Sequence, residues 1–189
     1  MEQVEQTMFD QIADEWLRIA KSNRARYKYS EDERFVQCAG IIAGDGEISM
    51  IPLLWRDNKE KYRRMLALSL TAKAANAVAI VMVADSRWTQ SPELCEYFKI
   101  PTPLEVGIEE FQRLYMEILK RYGGEIRKLP RQLWKEAVMV CLKGPGLTPR
   151  IRMAEYVEGR RDTVEWISTL GNGYDKANIN MLPDWWTVQ

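Results

Sequence analysis

A chain of 189 residues, 46% apolar and 29% charged, has the makings of one globular domain, and its 27 Lys and Arg cancel its 27 Asp and Glu. That neutrality removes any long-range pull toward nucleic acid or anionic lipid. The chain has no histidine, which excludes Ser-His-Asp and Cys-His catalysis, histidine zinc sites and the two-His-one-carboxylate iron site.

In chain order, residues 4–22 place Met8, Phe9, Ile12, Ala13, Trp16, Leu17, Ile19 and Ala20 at three- and four-residue spacing, which predicts an amphipathic helix with Trp16 against a sheet. Asn23 to Arg34 alternates Arg24, Arg26 and Lys28 with Tyr27 and Tyr29 and then turns acidic, the pattern of a solvated connector. Phe35 to Trp55 reads as a hairpin around Gly44-Asp45-Gly46, with Pro52 marking an edge strand.

Asp57, with Glu60 three residues on, forms a capping-box signal for a central helix. Its polar stripe is narrow (Glu60, Arg64, Thr71), so burial over most of its surface is expected. Asn76 tolerates the left-handed conformation that ends a helix. Ala77 to Ala84 then switches to Val and Ile without polar alternation, as in a strand covered on both faces. Met65 to Ala84 has the length of a membrane span, but Lys73 and Asn76 would be costly in hydrocarbon, and a helix followed by a strand fits better.

Beyond that strand come Asp85, Ser86, Arg87 and Trp88, expected to be a loop. Ser91-Pro92-Glu93 starts a short helix, and Val106 to Tyr122 a longer one burying Ile108, Phe111, Leu114, Tyr115, Ile118 and Leu119. Gly123-Gly124 stops it. Strands are predicted at 136–143, 150–158 and 162–168, the last two a hairpin with charge on its outward positions. The tail ends in Trp185-Trp186.

The expected fold class is α+β (alternatively α/β): a mixed, largely antiparallel sheet of about five or six strands covered by three or four helices, with a buried central strand 77–84. One domain spans 1–189, and its tail, 170–189, packs on the core or on a partner subunit. Cys38, Cys95 and Cys141 form no CxxC pair, and the N-terminus opens on acidic and amide residues, so reduced thiols and a cytoplasmic location without membrane insertion are expected.

Three functional readings follow. The first is a non-catalytic binding or assembly protein forming homo-oligomers, with Trp185 and Trp186 as interface candidates, because tryptophan is enriched at interface hot spots. The second is a histidine-independent enzyme or small-ligand binder using the Asp85–Trp88 loop: Asp85 as base, Arg87 as anion clamp, Trp88 as stacking surface. The third is nucleic-acid binding through the basic second half, from Lys120, Arg121, Arg127, Lys128 and Arg131 to Arg150, Arg152, Arg160 and Arg161. Phosphate-loop motifs are absent from the sequence. Asp45, Glu47, Asp85, Glu136 and Glu155 have no spacing that selects them as metal ligands, so no cofactor and no metal is assigned.

Overall fold

The computed structural model describes residues 2–26, 37–55, 58–160, 163–173 and 184–186. The elements are α1 (Glu2–Arg26), β1 (Cys38–Ala43), β2 (Ile48–Pro52), α2 (Asn58–Ala74), β3 (Ala77–Thr89), α3 (Ser91–Phe98), α4 (Pro103–Val106), α5 (Ile108–Arg121), β4 (Trp134–Lys143), β5 (Arg150–Arg160) and β6 (Thr163–Gly173). They form an α+β fold around an open antiparallel six-stranded sheet, in the order β2-β1-β3-β4-β5-β6. The chain divides into two compact units, one of Met1–Asp85 with Val138–Gln189, the other of Ser86–Ala137.

In the first unit, β3 explains its own composition. Ile80 and Met82 point into a cluster with Leu68, Ala72, Met139 and Cys141, while Ala79, Val81 and Val83 point into another with Phe9, Ala13, Leu17 and Val138. A strand buried on both faces needs apolar residues at odd and even positions alike. Each fully buried Val, Ile or Met contributes about 1.5–3 kcal/mol of transfer free energy. Helix α1 covers one face through Phe9, Ala13, Leu17 and Ala20, at helical spacing; Met8 and Ile19, expected on that face, are exposed.

The β1–β2 hairpin turns at Gly46, whose φ of +88° favours glycine, and Asp45 braces it by accepting the Glu47 amide at 3.0 Å. Gly40 lets the Trp16 ring approach the strand closely: a Cβ there would sit 3.0 Å from the Trp16 ring and 2.9 Å from Val81 Cγ1. Asn76 follows α2 with a φ of +46°, its amide donating to the Lys73 carbonyl. The expected cap, Asp57, lies outside the described residues.

Further expectations change. Helix α1 runs on to Arg26, so Asn23–Arg26 is helical and not part of a connector. Among its described side chains helix α2 buries Met65, Leu68, Ser69 and Ala72, because one side of a helix suffices to cover a sheet; Tyr62, Leu66 and Leu70 face outward. The stretch Asp85–Trp88 is not a loop, since β3 continues to Thr89. The charged positions of the β5–β6 hairpin do not all point to solvent: Arg152 and Glu155 are buried. Arg152 is held by carboxylates of α1, donating to Asp10 (2.7 Å) and Asp14, while Arg150 also donates to Asp10.

The second unit packs Leu94, Ile118, Leu119 and Leu129 with the rings of Phe98, Phe111, Tyr115 and Trp134 around them. Helix α3 ends at Lys99 in the left-handed conformation, and Gly107 (φ +84°) separates α4 from α5, so the helix expected from Val106 to Tyr122 begins at Ile108. Ile108, read as part of the buried face, is exposed. Gly123 and Gly124, both at positive φ, close α5 as expected.

Candidate functional site

Among the described residues the most heavily buried charge belongs to Arg24, near the end of α1, whose side chain is 0% exposed. Its Nε lies 3.4 Å from Asp85 Oδ1 on β3, and its Nη2 donates to the Tyr156 hydroxyl on β5 at 3.4 Å. The Tyr156 hydroxyl in turn donates to Asp85 Oδ1 at 3.0 Å. The guanidinium also stacks over the Tyr156 ring, 4.9 Å from its centroid. Trp166 on β6 meets Tyr156 edge-on at 5.5 Å, and the Lys21 ammonium lies 5.3 Å from the Trp166 centroid.

Three elements distant in sequence thus meet at one ionic cluster. Burial, and secondarily the Asp85 carboxylate, push the Tyr156 phenol well above its ordinary value. The phenol therefore stays protonated and acts as a donor, not a base. Asp85 accepts from it and pairs with Arg24, so the carboxylate is held by two neighbours. This is the chemistry of a clamp that ties α1 to β3 and β5.

The remaining members of the sequence tetrad belong to the second unit. Arg87 pairs with Glu136 on β4, Nε to Oε1 at 3.3 Å, and its guanidinium lies 5.9 Å from the Trp134 centroid. Arg131 stacks closer on the same ring, at 4.2 Å, and donates to the Trp134 carbonyl at 2.6 Å. Ser86 is half-buried. The Trp88 indole N–H is enclosed and, among the described residues, has no hydrogen-bond acceptor.

Trp185 and Trp186 differ. Trp185 is buried in the cluster of Leu68, Ala72, Ile80 and Met139, and its indole N–H donates to the Ala77 carbonyl at 3.3 Å. Trp186 packs edge-on against it at 4.6 Å and is partly exposed, with the Lys143 ammonium 5.8 Å from its ring. Lys143 also pairs with Asp184 at 2.6 Å.

Of the basic residues in the second half, Arg127 and Lys128 pair with Glu125, and Arg150 and Arg152 with Asp10. The side chains of Arg160 and Arg161 lie outside the described residues. Among the described residues, no group of three or more His, Cys, Asp or Glu is gathered as a metal site, and no helix is long and apolar enough to cross a membrane.

Arg24 and Tyr156 were missed by sequence reasoning. The available signal was the helical continuation of α1 through Asn23–Arg26, masked by the charge density of the segment. No protein-family model, curated protein or solved structure matches the chain.

Proposed function

We propose that this chain is a non-catalytic assembly protein that binds further copies of itself through the outer side of α2. The carrying observation is the line of exposed apolar side chains Tyr62, Leu66 and Leu70, spaced four residues apart along one side of that helix. Tyr62 is 72% exposed. A contiguous apolar stripe on a well-formed helix is costly in water and characteristic of a contact surface. The ion-paired state of Asp85 and the protonated Tyr156 support a structural role for the polar cluster. Cys38, Cys95 and Cys141 form no disulfide with one another, which fits a reducing compartment such as the cytoplasm.

The test is solution mass by light scattering over a concentration series, for the wild type and for Leu66→Ser/Leu70→Ser. The wild type is expected to be oligomeric and the variant to shift toward the monomer with unchanged circular dichroism. A wild type that stays monomeric up to its solubility limit would sink this reading.

A second reading rests on Trp88. Its enclosed indole N–H without an acceptor would suit a small ligand that offers an oxygen. Such a ligand should raise the Tm of the wild type and not that of Trp88→Phe; equal shifts in both would remove Trp88 from consideration.

A further inference from the structure

We infer that the surface that meets α2 is not α2 of a second copy but the apolar knob formed by α4 and the first turn of α5, so that copies associate head to tail. The inference rests on the self-association reading above and adds to it the partner surface and the symmetry.

The knob consists of Leu104, 98% exposed, and Ile108, 69% exposed. Neither sits on loose backbone. The Glu105 carboxylate accepts from both the Thr102 amide (2.7 Å) and the Thr102 hydroxyl (2.9 Å). The Gly107 amide donates to the Pro103 carbonyl (2.9 Å), and the Phe111 amide donates to the Gly107 carbonyl (3.1 Å) as α5 begins. Pro103 and the positive φ of Gly107 further define the turn. An apolar side chain displayed this fully on a braced turn loses little conformational freedom on docking, which favours association.

Charge decides what the knob fits. The knob's own elements, residues 103–111, carry Glu105, Glu109 and Glu110 and no basic residue, a formal −3. Helix α2 carries Lys59, Lys61, Arg63, Arg64 and Lys73 against Glu60, five basic to one acidic, a formal +4. The neutral total of the chain therefore conceals two exposed apolar surfaces of opposite sign. Pairing α2 with α2, or knob with knob, sets like charge against like around the contact, whereas α2 against the knob sets opposite charges together. A contact between two different surfaces is heterologous: it closes into a ring or propagates, and each copy retains one unfilled partner surface until it does.

The closing experiment uses two variants of the full chain. Lys59→Glu/Arg63→Glu spoils the basic surface and keeps the knob; Leu104→Lys/Glu109→Lys spoils the knob and keeps α2. The positions are exposed, and Glu110 is left in place because it pairs with Arg113 at 2.6 Å. Each variant alone is expected to run as a monomer, with unchanged circular dichroism, and an equimolar mixture to form a one-to-one heterodimer by sedimentation. Wild-type association should weaken as salt rises. Should Leu104→Lys/Glu109→Lys fail to fold, Leu104→Ser replaces it, and should Lys59→Glu/Arg63→Glu fail, Leu66→Ser/Leu70→Ser does, with the same expected loss of mass.

A variant with the wild-type mass overturns the head-to-tail contact, and so does a mixture that remains monomeric. Either result, obtained with an oligomeric wild type, leaves self-association standing and removes only this partner surface. A wild type that is monomeric throughout overturns both.

Discussion

Removing the Asp85 carboxylate tests the cluster on which α1, β3 and β5 converge. Asp85→Ala takes a negative charge from beside the Arg24 guanidinium, which is 0% exposed, and an acceptor from the Tyr156 hydroxyl 3.0 Å away. Removing one partner of a buried ion pair costs about 3–5 kcal/mol, and the lost hydrogen bond adds about 1 kcal/mol. The 3.4 Å Nε–Oδ1 separation is long for a charge-assisted bond, and Asp85 is 21% exposed, so the net expectation is about 3 kcal/mol.

Arg24→Met should cost about half as much, because the carboxylate left behind reaches water whereas an enclosed guanidinium does not. The double variant Arg24→Met/Asp85→Ala should be more stable than Asp85→Ala alone, since it buries no uncompensated charge. Urea unfolding gives all three values from the midpoints, provided the slopes stay equal. The reasoning fails if Asp85→Ala costs less than about 1 kcal/mol, or if the double variant loses the sum of the two single losses.

Three further outcomes follow from individual contacts. Gly40→Ala puts a methyl group 2.9 Å from Val81 Cγ1 and 3.0 Å from the Trp16 ring; this overpacking should cost about 1–3 kcal/mol in urea unfolding, and Trp16→Leu should recover part of it. Hydrogen bonding from Arg150, with that from Arg152, holds the Asp10 carboxyl below its ordinary value. A depressed folded value means that the stabilisation is present above the unfolded carboxyl value of about 3.9 and lost as pH falls through the folded one. Asp10→Asn should therefore flatten the acid limb of stability against pH, and parallel limbs in both proteins would contradict this. Tyr156 is held above its ordinary value by burial, so its contribution is complete below about pH 10 and declines as pH rises toward the folded value. Tyr156→Phe should leave the 295 nm titration of the folded protein unchanged around pH 10; a lost titrating tyrosine there would show that the phenol is solvated.

The legible parts of the fold were those whose signal is local. Gly44-Asp45-Gly46 marks a hairpin because few other residues take a positive φ, and Gly123-Gly124 ends α5 for the same reason. The composition of Ala77–Ala84 marks a strand enclosed on both faces because any polar residue there would need a partner. The failures arose where the partner was distant. Arg24 looks solvated among its charged neighbours, yet Asp85 and Tyr156, 61 and 132 positions away, meet it in the interior. Arg152 looks like an outward charge until α1 supplies Asp10 and Asp14.

Asp85–Trp88 illustrates the limit for the candidate site. The residue types suggested a loop beyond a strand, since polar residues after an apolar run resemble a strand end. Ion pairing with Arg24, and of Arg87 with Glu136, lets the same residues continue β3. Helix α2 is the converse: its apolar composition suggested burial, although a helix on a sheet conceals only one side.

The sequence by itself determined the α+β class, the hairpins, the glycine stop of α5 and the exclusion of histidine chemistry, because each depends on residue type within a few positions. Only the tertiary structure decided which charges are buried as pairs and which apolar side chains are left facing water. Those outcomes depend on what chain folding brings within a few ångströms, and neither composition nor spacing encodes the identity of a neighbour more than a hundred residues away.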